Sequence, residues 1–523
     1  MSVIASFTLE DSAGTQINFP SPRRALVCFI KEDCPTCRLV IPVLIAIHES
    51  LASELDFFII GQTRNGNSRL MSEVTPPFNL LDDSALKVSF TNDVETVPQV
   101  FLTDSEGHVQ VEHTGFVCEE WREMVAELFE QHNIAECSVD WDSLPDWRPG
   151  CGSLSVDPLH AERLQAEAEN SPTRARRLEI GSQDDEFEFM FDQGFTDGLP
   201  VIPPTPQRVL RMLQGTSRDP QDVITIMPPN MASVTVEKIA INAVMAGCRP
   251  EYLPVVMAAV DAVCTDEFNI HGVMATTMGA SPVMVVNGPI RHRLKMNMGL
   301  GALGQGNRAN ATIGRALRLV IRNVGGAKPG GTERSTFSNP MKFTMCFAEW
   351  EERSCWDPLH VDRGFFADDS VVTTLAMSAG PTLILDETTT QAPVLATAIG
   401  EATKGMFNTN WYNSSNCLMV VSPEHNDVFK RGNVSKSALR TDIQKASEKS
   451  VQDLMQGPSA SPEQLASLSQ LPADTRIGKF GAEDHIEIVV AGSEAGKCTA
   501  FFHGWIPRSM GSIPVSRKID DYM

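Results

Sequence analysis

Two cysteines stand with two residues between them in the run Lys31-Glu32-Asp33-Cys34-Pro35-Thr36-Cys37, and Pro42 stands five positions after the second. A pair at this spacing does dithiol chemistry when one sulfur is ionised and the other can reach it. The flanking sequence points that way. "ALVCFI" at 25–30 is a short apolar run suited to a buried strand, and "RLVIPVLIAIHESLASEL" at 38–55 has helical periodicity, so the pair falls at a strand-to-helix junction. Backbone N–H groups at a helix start favour a thiolate, which predicts a lowered pKa and a nucleophilic role for Cys34. Cys37, one turn on, is then placed to attack the mixed disulfide and release a reduced target. The competing reading, half of a zinc site, needs a second Cys-x-x-Cys or a histidine pair at a compatible spacing, and the sequence has neither.

The elements that must hold this pair follow in order. "DFFIIGQT" reads as a strand, and "VPQVFLTDSEGHVQVEHTGF" as two strands joined by a Ser-Glu-Gly turn. "EEWREMVAELFEQHN" closes the region as an amphipathic helix, so a compact domain is expected over residues 1–135. Thr96-Val97-Pro98, just before a strand, could set Pro98 in a cis bond beside the cysteines. Residues 136–190 change character and read as a partly ordered linker with a charged helix near 157–170. Within it, Cys151 lies between two glycines in "RPGCGSLS", which suits an accessible thiol that an arm brings to Cys34 and Cys37; the alternative is a turn cysteine without a role.

Residues 1–135 resemble a thioredoxin-like domain of the TlpA and peroxiredoxin-related branch. The residues that carry the resemblance are "ALVCFI", Cys34-Pro35-Thr36-Cys37, Pro42 and "ETVPQVFLTDSEGHV". It implies Cys34 as attacking thiol, Cys37 as resolving thiol and Pro98 as the substrate-binding cis-proline. Many thioredoxins carry an acidic residue six positions before the first cysteine; here that position is Cys28, so the proton acceptor for Cys37 is open.

Residues 191–523 alternate apolar helical stretches with strand-like ones and read as a larger α/β domain. "TDGLPVIPPTPQRV" sets Gly198 in a turn and Thr205 as an N-cap. Gly299, Gly301 and Gly304 spell GxGxxG, but the strand "VMVVNG" ends well before them, so the dinucleotide-binding context fails. What remains is a glycine-rich loop feeding a helix that starts with Asn307, Arg308 and Asn310, a substrate-binding candidate for a small anion. Glycines used for close packing are the competing account. Cys346, Glu349, Cys355 and His360 are residue types that bind metal or run acid–base chemistry, yet their spacing fits no closed zinc signature and no metal is expected.

Runs such as "TDGLPVIPPT", "NAVMAGCRPEYLPVV", "VNGPI" and "GNRANATIGRALRLV" resemble a bacterial group associated with UGSC-type (seleno)proteins. The tetrapeptide itself is absent, and Gly150-Cys151-Gly152-Ser153 is a loose echo of it. The resemblance implies a family and no particular reaction.

The whole chain bounds these readings. With 523 residues, two or three domains are expected. A formal charge of −23 argues against nucleic acid or anionic lipid as the main partner. Neither a secretory signal nor a membrane span is evident, so a cytoplasmic location is expected, and most of the 12 cysteines should be buried thiols. The leading expectation is an α/β oxidoreductase whose thioredoxin-like domain exchanges electrons with a larger domain acting on a small, anionic or sulfur-containing substrate. No cofactor beyond the Cys34–Cys37 pair is expected, a thioredoxin or glutathione system restores the dithiol, and a homo-oligomer is a reasonable assembly. The alternatives are a non-redox lyase or hydrolase kept reduced by its thioredoxin-like domain, and a thiol-dependent binding or chaperone-like protein.

Overall fold

The computed structural model of the chain describes residues 2–523 except 133, 135–137, 169–170, 179, 182–184, 407–411, 457–461 and 507–510. It divides into two compact units, Met1–Leu178 and Glu179–Met523.

The first unit is built on β1 (Phe7–Asp11), β2 (Gln16–Phe19), β3 (Ala25–Ile30), α1 (Pro35–Leu51), β4 (Asp56–Gly61), α2 (Arg64–Val74), β5 (Leu80–Asp82), α3 (Lys87–Thr91), β6 (Thr96–Val97), β7 (Gln99–Thr103), β8 (Val109–Thr114), β9 (Phe116–Val117) and α4 (Cys118–Gln131). Seven strands form one sheet in the order β2-β1-β5-β4-β3-β7-β8. All six residues of β3 are buried, as a strand flanked on both edges and covered on both faces requires. β3 runs parallel to β4, with α1 as the crossover, and β7 is antiparallel to both β3 and β8. This β3-α1-β4 unit followed by the β7-β8 hairpin and α4 is the thioredoxin fold, widened on one side by β5, β1 and β2. Its core joins Phe29, Ile47, Phe116 and Trp121, and the Trp121 indole N–H finds a partner in the Gly115 carbonyl at 3.2 Å.

The unit does not end where the sequence suggests. The boundary expected at 135 lies outside the described residues, but the chain beyond it folds back as β10 (Trp147–Arg148), β11 (Cys151–Gly152) and α5 (Pro158–Ala168). β10 pairs with β9, and β11 with β6, both antiparallel. The stretch expected to be a linker over 136–190 is thus corrected: up to Leu178 it belongs to the first unit. Polar composition and glycines hid the strands, because a two-residue strand carries no periodicity to read.

The second unit holds another seven-stranded sheet. Its path runs Cys346–Ala348, Ser281–Asn287, Val371–Leu385, Cys498–Gly504, Cys417–Val421 and Ile486–Val490, and Val515–Lys518 pairs with the long strand off that path. The Trp350 N–H donates to the Val490 carbonyl at 2.7 Å, which ties one edge of the sheet to the other. Alternate residues of Ser281–Asn287 serve different layers: Met284 and Val286 pack with helices Val236–Ala246, Leu253–Val263 and Arg308–Asn323, while Val283 and Val285 pack with Leu418, Val489 and Phe502. Thr205 caps its helix as expected, accepting from the Arg208 N–H, and Gly198 has a φ of 97°. The fold is α/β in both units.

Candidate active site

Helix α1 starts on the cysteine pair itself. Cys34 is its N-cap, with φ −83° and ψ 116°, and Pro35 takes a first-turn position where no N–H is needed. The Cys37 backbone N–H donates to Cys34 Sγ at 3.4 Å, so a sulfur fills the role usually given to a serine or aspartate oxygen. Cys37 Sγ in turn accepts from the Lys31 N–H at 3.3 Å. The Val97–Pro98 peptide is cis. It sets the Val97 carbonyl 3.5 Å from the Cys34 thiol, which donates to it when protonated, while the Pro98 carbonyl accepts from the Gly115 N–H at 2.7 Å.

These contacts split the two sulfurs. The Cys37 thiol, then the Cys151 thiol and the N–H groups of Cys37 and Thr36, favour the Cys34 thiolate, and together they outweigh burial and hold its pKa at about 5. Cys37 moves the other way, far above an ordinary thiol, because it is buried and faces the Cys34 sulfur. At neutral pH the pair is one nucleophilic thiolate beside one protonated thiol. Cys28 lies fully buried in β3 with its thiol pushed up by desolvation, so it does not replace the missing acid as a base.

A third sulfur joins them. The Cys34 sulfur and burial push the Cys151 thiol up to about 11. It is positioned by β11, whose register sets Cys151 opposite Val97 and Gly152 opposite Thr96. The neighbouring chain is anchored throughout. The Thr36 hydroxyl donates to the Pro149 carbonyl at 2.6 Å, Lys31 Nζ to the Gly152 carbonyl at 3.2 Å and the Ser153 N–H to the Glu95 carbonyl at 2.9 Å. Behind it, Gln62 Nε2 donates to Ser153 Oγ at 2.6 Å and Gln62 Oε1 accepts from the Leu154 N–H at 3.0 Å. Cys34 and Cys37 are consequently 0% and 1% exposed, while Cys151 keeps partial exposure. The residues that sequence reasoning missed are Thr36, Gln62, Ser153 and Ser155, whose hydroxyl lies 2.7 Å from Ser153 Oγ and donates to the Val94 carbonyl at 2.9 Å. The one available signal was the density of small polar residues around Cys151.

In the larger unit, the glycine-rich loop is held by its own polar groups. Asn310 Nδ2 donates to the carbonyls of Asn297 and Ala302, and its Oδ1 accepts from the Asn297 N–H. Asn307 caps helix Arg308–Asn323 by accepting from the Asn310 N–H at 3.0 Å, and Arg308 Nε donates to the Gly247 carbonyl at 2.9 Å. The N–H groups of Gly299 and Gly304 are spent on Asn297 Oδ1 and the Gly301 carbonyl. Gly301, with φ of 70°, takes a backbone shape that glycine tolerates best.

The residues singled out for metal do not assemble. Cys346 packs in the helix-facing core, and Cys355 packs against the core formed by Leu395, Phe429 and Ile443. Glu349 is fully buried, its Oε2 accepting from Asn287 Nδ2 at 2.7 Å and from the Leu359 N–H at 2.9 Å, and burial raises its pKa to about 7. His360 follows Leu359 and is buried too. Among the described residues no three His, Cys, Asp or Glu side chains stand close enough to hold a metal ion.

The fold and the junction define the first unit as a thioredoxin-fold unit with a Cys-x-x-Cys pair at the start of its crossover helix. Among solved structures, the thioredoxin domain of a thiol-disulfide oxidoreductase from Bacteroides vulgatus is similar at 18% identity, over 24% of this chain and 95% of that one, with a TM-score of 0.23. StoA from Bacillus subtilis is similar at 16% identity, over 24% and 98%, with a TM-score of 0.22. The exposed lipoprotein thioredoxin Etrx1 from Streptococcus pneumoniae is similar at 16% identity, over 24% and 99%, with a TM-score of 0.22. No protein-family model matches the chain, and no curated protein matches it. No helix among the described residues is long and apolar enough to cross a membrane.

Proposed function

We propose that the chain is a thiol–disulfide oxidoreductase working through Cys34 and Cys37. The observation that carries this reading is the Cys34 sulfur at the N-cap of α1, where the Cys37 N–H donates to it and its thiolate is favoured. The Cys34 thiolate attacks one sulfur of a target disulfide; the target S–S bond breaks, and the departing thiolate takes up a proton. Cys37 loses its proton and attacks Cys34, which frees the second target thiol and leaves a Cys34–Cys37 disulfide. Two electrons and two protons from a thioredoxin or glutathione system return the pair to the dithiol. Pro98 borders the sulfurs as the target-binding residue. In the fuller form of the proposal, the larger unit holds the small, anionic or sulfur-containing molecule whose oxidised sulfur the first unit reduces. Support for that part comes from the sequence resemblance over most of residues 195–440 and from the tethering of two units in one chain, which raises the effective concentration of each at the other.

The test is to express the full chain with Cys37→Ser and identify by mass spectrometry what is disulfide-linked to Cys34. Without Cys37, disulfides on Cys34, to a target or to Cys151, should accumulate, and Cys34→Ser should abolish them. If Cys34 stays unlinked in Cys37→Ser and wild-type protein forms no Cys34–Cys37 disulfide under glutathione disulfide, the proposal fails.

A further inference from the structure

The chain from Trp147 to Ser155 crosses the face that carries the cysteines and is pinned along its length. It pairs with β9 through Trp147 and Arg148, and with β6 through Cys151 and Gly152. Thr36 and Lys31, which flank the reactive pair, hold the carbonyls of Pro149 and Gly152. The approach is close at one point. A Cβ on Gly150 would lie 2.4 Å from Thr96 Cγ2 and 2.7 Å from the Val97 carbonyl oxygen, whereas one on Gly152 would meet nothing within 4 Å. An added strand beside a cis-proline, with a cysteine opposite Val97, the residue whose carbonyl meets the Cys34 thiol, has the geometry of a captured extended peptide rather than of a connecting loop.

We propose that residues 147–155 are a built-in occupant of the target groove, and that Cys151 is the third redox thiol, through which the buried Cys34 exchanges with the exterior. The inference rests on the dithiol reading above. The step it adds is an internal exchange. Cys151 loses its proton and attacks Cys34 Sγ of the Cys34–Cys37 disulfide; the Cys34–Cys151 bond forms, the Cys34–Cys37 bond breaks, and Cys37 leaves with the electron pair and takes a proton. No external oxidant or reductant enters, and the reverse step is attack by Cys37. The strand also works as a lid, since a protein target reaches Cys34 when the strand lifts, while a small thiol or disulfide meets Cys151 first.

Two experiments on the full chain test this. In the first, reduced wild-type and Cys37→Ser proteins are exposed to glutathione disulfide and their disulfides mapped by mass spectrometry. The expected result is a Cys34–Cys37 bond in the wild type and a Cys34–Cys151 bond in Cys37→Ser. A wild type that forms its bond while Cys37→Ser carries only glutathione on Cys34 overturns the third-thiol role and leaves the dithiol reading standing. A wild type without the Cys34–Cys37 bond removes the dithiol reading, and this inference with it. The second experiment follows alkylation of Cys34 by iodoacetamide. Gly150→Val unseats the strand and should raise the Cys34 rate about tenfold or more, with Gly152→Ala near the wild-type rate. Thr36→Val, which removes one tether without altering the strand, should shift the rate in the same direction. Equal rates in all four proteins overturn the lid.

Discussion

At the scale of single residues, the site turns on one sulfur used as a helix cap. A cap accepts from N–H groups the helix cannot satisfy itself, and those same donors lower the pKa of whatever caps it. For Cys34 the consequence can be followed with pH. Its pKa falls from an ordinary 9.0 to about 5, the Cys37 thiol being the largest cause. Between those values the unfolded chain binds a proton that the folded chain does not, so the stability of the reduced first unit rises with pH across that window. This contribution is fully present above pH 9 and is lost as the pH falls through about 5. Cys37, raised by burial, stays protonated in both states below pH 9 and adds nothing there. Urea unfolding of the reduced protein should therefore show a midpoint that drops from about pH 8 to about pH 5, with the drop much reduced in Cys34→Ser. Iodoacetamide labelling of Cys34 in Gly150→Val should titrate below an ordinary thiol but above the wild-type value of about 5, because the Cys151 thiol no longer contributes; a midpoint near 9 would mean the cap does not hold the thiolate.

At the scale of elements, what the sequence made legible was whatever carries a period or a fixed spacing. The β3-to-α1 junction, the hairpin of β7 and β8, α4, and the helices Val236–Ala246, Leu253–Val263 and Arg308–Asn323 all stand where apolar patterning places them. β10 and β11 were illegible because two residues make no pattern, and their stability comes from partners remote in sequence, Phe116–Val117 and Thr96–Val97. The glycine-rich loop has a support that composition does not show. Its composition suggests donors open to an anion, but a side chain from the following helix, Asn310, ties the loop to that helix from inside. Asn310 is buried, so Asn310→Ala leaves two carbonyls and one N–H without their partner. We expect a loss of about 1–3 kcal/mol in the urea stability of the larger unit, with Cys34 labelling unchanged. A neutral substitution would mean that Asn310 does not hold the loop.

At the scale of the whole molecule, the apolar cores divide cleanly. One cluster runs from Ile4 to Phe129 with Cys151 packed against it, and the clusters of the larger unit begin at Met190. A cluster closed within one stretch of chain is the condition for independent folding, so a fragment of residues 1–178 should fold cooperatively and oxidise at Cys34–Cys37 as proposed for the full chain. The informative comparison is with residues 1–135, the boundary that composition suggests. That shorter fragment lacks Pro149, Cys151, Gly152, Ser153 and Ser155, so the edge of β6 loses its partner strand and Gln62, which is buried, loses the Ser153 hydroxyl and the Leu154 N–H. An unpaired strand edge and a buried amide left with Ser89 alone as partner each destabilise. The short fragment should unfold at lower urea and label at Cys34 about tenfold faster or more, following the opening of the groove. Equal stability and equal labelling of the two fragments would show that the chain after 135 is a linker after all, and would move Cys151 out of the site. Equal stability with fast labelling in 1–135 alone would assign the strand a purely functional place, held over Cys34 by contacts that the fold can lose.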